Sequence, residues 1–125
     1  MGTRSLTLVY NDSNRALINM YRQYDGYPSG HGRELSSFLS SKKIVNGLAD
    51  DNANVANGMS CLAAQLVRNF KTEAGGIYLE AVSDTDLGQD YEYHVFKDRV
   101  LVKSGARVEF TGSYVEFDTF CRKED

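Results

Sequence analysis

The stretch from residue 19 to residue 39 constrains the fold more than any other part of the sequence. It starts at the end of an alternating apolar segment, which predicts a strand, and it finishes in a segment with apolar residues at helical spacing: Leu35, Phe38 and Leu39. Between the two lie three glycines and the only proline of the chain: Gly26, Pro28, Gly30 and Gly32. The sequence therefore predicts a strand, a tight loop and a helix in direct succession.

A helix that begins directly after such a loop is a binding seat for anions. Its first backbone N–H groups have no intrahelical partner, and the positive end of its dipole lies beside them. The same loop is rich in rings and cations: Tyr21, Arg22, Tyr24, Tyr27, His31 and Arg33. Tyrosine rings and guanidinium groups stack on bases, and guanidinium groups and loop amides bind phosphates. This combination predicts a site for a small nucleotide.

The predicted contacts divide by the part of the nucleotide that they bind. Cations and loop amides would contact the phosphate: Arg4, Arg22, Gly30, His31 and Gly32. A tyrosine ring would stack on the base: Tyr21, Tyr24 or Tyr27. Ribose hydroxyls would bond to Asp25 or Ser29. Arg4 is included because the start of one strand of an antiparallel hairpin lies beside the end of its partner strand.

Other interpretations of the loop stay open at this point. The glycines and the proline can simply form a tight turn, with glycine supplying positive φ. The tyrosines can pack inside the protein, and Arg22 can pair with Asp25. A third alternative is a protein interaction module that uses the exposed loop to inhibit a host factor.

An enzyme is the runner-up to a binding protein. His31 could donate a proton in a hydrolase, with Asp25 or Glu34 orienting its ring. The chain has no Gly-x-Ser-x-Gly, His-Glu-x-x-His or Walker-type motif, so we assign no catalytic residue.

The remaining sequence predicts one α+β domain that covers residues 1–125. Alternating apolar residues predict strands at residues 6–10, 16–22, 77–82, 91–96, 100–103 and 107–110. An apolar stripe over residues 59–70 predicts a second helix that ends at Gly75 and Gly76, and a polar connector at residues 50–54 with capping residues precedes it. Ser113 and Glu116 have the spacing of a capping box and predict a short C-terminal helix. We expect a largely antiparallel sheet of about five or six strands with the two main helices on one face.

The composition of the chain limits the kinds of partner that it can bind. With a net charge of −3, the protein lacks the basic surface that binding to duplex nucleic acid requires. The apolar runs are too short for a membrane span, and no secretory signal precedes Cys61 and Cys121, so we expect free thiols and a cytoplasmic protein. Residues 84–90 resemble a calcium loop only faintly, because Val95 stands where the last ligand, a glutamate, is required. We predict no metal and no cofactor.

The opening Gly-Thr-Arg-Ser of residues 2–5 and the run Tyr-Arg-Gln-Tyr-Asp-Gly-Tyr-Pro-Ser-Gly-His-Gly of residues 21–32 resemble a group of small tailed-phage proteins. The resemblance covers about the first third of the chain. Small phage proteins of this size include anti-defence proteins that sequester nucleotide immune signals, such as cyclic ADP-ribose isomers or cyclic oligonucleotides. The resemblance implies such a function here, in the cytoplasm of the host bacterium, and implies a homo-oligomer with ligand pockets at or near subunit contacts.

Overall fold

The computed structural model describes residues 2–47 and 54–124. Eight strands lie in this part of the chain: β1 (Ser5–Tyr10), β2 (Ala16–Arg22), β3 (Lys43–Val45), β4 (Val55–Asn57), β5 (Ile77–Glu80), β6 (Tyr91–Val95), β7 (Val100–Ser104) and β8 (Arg107–Gly112). The helices described are α1 (Arg33–Ser40), α2 (Gly58–Phe70) and α3 (Tyr114–Lys123). A π-helical turn, Pro28–Gly32, runs directly into α1.

Six strands form one sheet in the order β5-β2-β1-β6-β7-β8, and β3 and β4 form a separate parallel pair. Every neighbouring pair of the large sheet is antiparallel except β1 and β6, which are parallel. The predicted α+β class with a largely antiparallel sheet and a short C-terminal helix is therefore confirmed. The parallel pairing at the centre of the sheet was not predicted.

One face of the sheet carries the main core. Alternate sheet residues such as Met20 and Tyr93 are fully buried there in one cluster with apolar residues of all three helices: Leu35, Leu39, Leu62, Leu66 and Phe117. The predicted stripe of α2 supplies a large part of this cluster. Burial of such side chains stabilises the fold by about 1.5–3 kcal/mol each.

The opposite face is covered by the segment between β5 and β6. This segment crosses the sheet from its edge to its centre, because β2 and β1 lie between the two strands. The buried Asn19 on this face holds it through amide hydrogen bonds to the carbonyls of Ala81 (3.0 Å) and Asp84 (2.8 Å). This segment therefore covers the face that carries Leu8, which pairs with Asn19 and is 2% exposed.

The start of α3 agrees with the sequence prediction, and the predicted connector before α2 can be compared only in part. Residues 50–53 of the predicted capping connector lie outside the described residues, and α2 begins at Gly58, after β4, with Asn57 at its N-cap position. At α3 the predicted capping box is present. The Glu116 amide donates to Ser113 Oγ (3.2 Å), and the Ser113 amide donates to Glu116 Oε1 (2.8 Å).

We expect Ser113→Ala to lower the free energy of unfolding by about 1 kcal/mol, because one N–H group at the start of α3 loses its acceptor. Urea denaturation monitored by circular dichroism measures this change. Ser40→Ala, at an exposed helical serine in α1, is the matched control and should shift stability by less than about 0.5 kcal/mol. Equal effects of the two substitutions would contradict the capping role.

Candidate functional site

The amides of the glycine-rich loop are bonded within the loop itself. Gly30 N–H donates to the Tyr27 carbonyl (2.9 Å), His31 N–H to the Asp25 carbonyl (2.7 Å), and Gly32 N–H to the Tyr27 carbonyl (3.3 Å). The π-helical turn in turn supplies carbonyl partners for the Arg33 amide at the start of α1. The anion seat predicted on Gly30, His31 and Gly32 is therefore already occupied by carbonyl oxygens of the loop.

The loop glycines are required by close packing. A Cβ on Gly26 would lie 2.8 Å from Ser5 Cβ, and one on Gly30 would lie 2.6 Å from the Asp25 carbonyl oxygen. On Gly32 it would lie 2.9 Å from Cys121 Sγ. None of the three glycines has a positive φ. The glycines do form a tight turn, but not because they supply the positive φ that was expected of them. The loop glycines let backbone and side chains approach each other closely.

His31 lies in the interior and is 0% exposed. Its Nδ1 accepts from Arg22 Nη1 (3.2 Å), which leaves the proton on Nε2 to donate to Thr7 Oγ1 (2.7 Å). Its ring packs against those of Phe70 and Tyr93, with centroids 4.9 and 5.0 Å away. Burial, with a smaller contribution from Arg22, lowers the pKa of His31 to about 3. His31 is therefore a neutral structural residue that does not reach solvent, and the geometry does not favour a proton donor there.

Arg22 connects the end of β2 to the loop and to α1. Its Nε donates to the Tyr24 carbonyl (2.6 Å), and its Nη1 forms an ion pair with Glu34 Oε1 (2.9 Å). Its ion-pair partner is thus Glu34, and Asp25 takes no part in the pair. The Arg22 side chain is 15% exposed, so its main effect is to fix the positions of Tyr24, His31 and Glu34 around it.

An open cleft of about 310 Å³ lies beside this ion pair. The loop and α1 line one part of it, and the segment between α2 and β5 lines the rest: Arg22, Tyr24, Asp25, Glu34, Phe70, Thr72, Glu73, Gly75, Gly76 and Ile77. Tyr24 is 60% exposed. Asp25 has a φ of 63°, an uncommon backbone conformation for a residue other than glycine. Three carboxylates face one guanidinium, so the cleft is negative overall and offers hydrogen-bond acceptors beside an exposed ring.

Several predicted contacts are not brought to this cleft. Tyr21 lies on the opposite face of the sheet, where its ring packs near Tyr78 (6.2 Å) and its hydroxyl donates to Gln23 Oε1 (2.6 Å). Arg4 bonds through its backbone to Asp90, and its guanidinium lies beside Gly88. Arg4, which was predicted to contact the phosphate, therefore lies against the segment between β5 and β6 and does not line the cleft.

The other predicted contacts lie in or beside the cleft. Arg22, Tyr24 and Asp25 line it directly. The half-exposed Tyr27 donates its hydroxyl to Asp25 Oδ1 (3.2 Å), and Ser29 is partly exposed on the π-helical turn next to it. The predicted stacking rings, Tyr24 and Tyr27, thus lie beside the predicted ribose acceptor, Asp25. The loop amides and the Arg22 guanidinium, which were predicted to bind phosphate, are instead hydrogen-bonded to other protein atoms.

Sequence reasoning missed the part of the cleft that comes from residues 70–77. The only local signal there is the pair Gly75 and Gly76, which have positive φ values of 79° and 77°. The pair reverses the chain between α2 and β5, and a Cβ on Gly76 would meet open space. The sequence predicts that this pair ends the second helix, whereas α2 already ends at Phe70.

The second histidine, His94, has its hydrogen bonds satisfied within the sheet. His94 Nδ1 lies 2.5 Å from the Tyr10 hydroxyl, and its Nε2 lies 2.9 Å from Glu92 Oε1. Both cysteines are free thiols, and burial raises the pKa of Cys121 to about 12. Within residues 2–47 and 54–124, histidine, cysteine and carboxylate side chains form no group of three or more that could hold a metal ion.

Comparison of the chain with protein-family models, with curated proteins and with solved structures found no match. Over the described part of the chain, every helix is too short or too polar to cross a lipid bilayer.

Proposed function

We propose that this protein binds a small nucleotide second messenger, either a cyclic ADP-ribose isomer or a cyclic oligonucleotide, and holds it without turnover. The observation that carries the proposal is the exposed ring of Tyr24, which lines the same cleft as the Arg22–Glu34 ion pair. An exposed aromatic ring on an ordered loop is a stacking surface for a base, and stacking contributes about 1–3 kcal/mol per base.

The carboxylates of the cleft suit the nucleoside part of such a ligand. Asp25 and Glu73 present oxygen atoms that accept hydrogen bonds from ribose hydroxyls and from amino groups of a base. Arg22 acts as a positioning residue in this arrangement, since all three of its guanidinium nitrogens already donate to protein atoms. The nucleoside therefore enters the cleft between Tyr24 and the carboxylates.

Binding is favoured over hydrolysis because His31 is buried and neutral. A proton donor must lie within hydrogen-bond reach of the leaving group, and His31 has no exposed surface. Its lowered pKa also keeps the ring neutral at pH 7, so His31 is not an imidazolium that could act as a general acid. The cleft can therefore bind a ligand, but His31 is not placed to act as an acid on that ligand.

The biological part of the proposal rests on the resemblance to small tailed-phage proteins. A phage protein that removes a nucleotide immune signal from the host cytoplasm needs tight, reversible capture. We propose this anti-defence role, together with a homo-oligomeric assembly. Native mass spectrometry of the purified protein measures both the subunit number and any retained nucleotide.

The test of function is a binding panel with recovery of the ligand. Isothermal titration calorimetry is carried out with ADP-ribose, cyclic ADP-ribose isomers, and cyclic di- and trinucleotides. Each binding ligand is then released by denaturation and identified by mass spectrometry. A ligand that binds and returns intact supports sequestration, whereas its conversion to a product supports a hydrolase. Lack of binding across the panel, with a host protein captured from a bacterial lysate, would favour an interaction module and refute the proposal.

We expect Tyr24→Ala to weaken nucleotide binding about tenfold, equivalent to about 1.4 kcal/mol, because the stacking surface is lost. Calorimetric titration measures the change in Kd. Tyr78→Ala is the matched control, since Tyr78 is 47% exposed but does not line the cleft, and its Kd should match that of the unmodified protein. If Tyr24→Ala binds with unchanged affinity, the base does not lie on this ring.

A further inference from the structure

A second open groove adjoins the cleft on the other side of Glu34. It runs between α1 and the end of α2 and has a volume of about 580 Å³. Glu34, Phe70 and Thr72 line both the cleft and the groove. A ligand seated at Tyr24 can therefore extend past these shared residues into the groove without leaving the surface.

The groove differs from the cleft in charge. Arg33 and Lys42 face a single carboxylate there, that of Glu34, whereas the cleft has three carboxylates and one guanidinium. An extended anionic ligand is therefore attracted toward the groove end and repelled from the cleft end. The nearby hydroxyls and amide add neutral hydrogen-bonding groups for phosphate oxygens: Ser37, Ser41, Asn69 and Thr72.

The structure holds the two cations in place. Arg33 Nε donates to the Cys121 carbonyl (3.3 Å) and Nη2 to the Arg122 carbonyl (3.2 Å), so the end of α3 anchors this guanidinium. Lys42 Nζ lies 5.1 Å from the centre of the Phe38 ring. Ordered cations lose less conformational freedom when they bind a ligand than freely moving ones do.

We propose that this groove binds the phosphate groups of the ligand whose nucleoside lies in the cleft, an inference that rests on the proposed function. It moves the phosphate site from the loop amides, which are bonded internally, to Lys42 and Arg33. This placement also defines the ligand class: a nucleotide with phosphate groups bonded next to a nucleoside, as in a nucleoside diphosphate conjugate or a cyclic dinucleotide. A nucleoside alone would occupy only half of the site.

The experiment compares ADP-ribose and cyclic di-AMP with adenosine, which lacks phosphate, by calorimetry and by amide chemical shifts. We expect Lys42→Gln to weaken binding of the phosphorylated ligands about tenfold and to leave adenosine binding unchanged. Lys42→Arg keeps the charge and should restore most of the affinity. Lys97→Gln, in the turn between β6 and β7, is the matched control and should bind all three ligands normally.

The outcomes separate this inference from the proposed function. If Tyr24→Ala weakens binding of both nucleotides but Lys42→Gln does not, the groove assignment is refuted and the cleft proposal stands. Equal loss of adenosine and nucleotide binding in Lys42→Gln also refutes the groove, because the effect would not depend on phosphate. If neither nucleotide nor adenosine binds the unmodified protein, the proposed function itself fails.

Discussion

Replacement of His31 by alanine is expected to lower the free energy of unfolding by about 3 kcal/mol. The side chain is fully buried between β1, β2 and α2, where it contacts Thr7, Arg22 and Phe70. Its removal leaves a cavity and deprives the buried Thr7 hydroxyl of its hydrogen-bond partner. Both effects destabilise the folded state.

Urea denaturation measures this change, with His94→Ala as the matched control. The His94 side chain is 14% exposed, so solvent can replace its partners in part and we expect a smaller loss. A loss of less than about 1 kcal/mol for His31→Ala would contradict the structural role. Loss of nucleotide turnover in a variant of unchanged stability would instead support the hydrolase alternative.

The local parts of the fold followed from the sequence because they depend on near neighbours. Period-two alternation located β1 and β2, and the stripe from Met59 to Phe70 located α2. The parallel pairing of β1 with β6 joins residues such as Ser5 and Tyr91. No local pattern encodes that pairing, since it depends on which surfaces the whole chain buries.

The candidate site was predictable where it is continuous in sequence and not where it is assembled from distant segments. Arg22, Tyr24 and Asp25 are adjacent in sequence and meet at the cleft. The alternation of β2 already places Tyr21 and Arg22 on opposite faces, so exclusion of Tyr21 was available from the sequence. Glu73 reaches the cleft only through the chain reversal between α2 and β5, which no short-range signal specifies.

The loop glycines show that a sequence pattern can predict a turn correctly and still suggest the wrong physical cause for it. A glycine that permits positive φ and a glycine that permits close approach are identical in sequence. Gly26 and Gly30 are of the second kind, and a Cβ on either would meet backbone and side-chain atoms of residues 4–5 or of the loop. The density of glycine therefore reflects how tightly the loop packs on the sheet, and the argument for a ligand must rest on the cleft.

Stability is expected to fall as the pH is lowered from 8 to 5, by about 2 kcal/mol from His31 alone. Burial, with a smaller effect of Arg22, lowers the pKa of His31 from 6.5 to about 3 in the folded protein. Above pH 6.5 the ring is neutral in both states and contributes no pH dependence. Between pH 6.5 and 3 only the unfolded chain takes up the proton, so each pH unit favours unfolding by up to about 1.4 kcal/mol.

Urea titrations at intervals between pH 8 and pH 5 measure this slope, and His31→Gln isolates the part due to His31. Glutamine keeps a hydrogen-bonding side chain near Thr7 but does not titrate, so the variant should lose most of the pH dependence. His94→Gln is the second comparison, because burial also lowers the pKa of His94 and adds a contribution of the same sign. If the unmodified protein and His31→Gln have the same slope, then His31 is protonated in the folded state. Its ring could not then accept the Arg22 hydrogen bond, and the assignment of His31 as a neutral structural residue would be wrong.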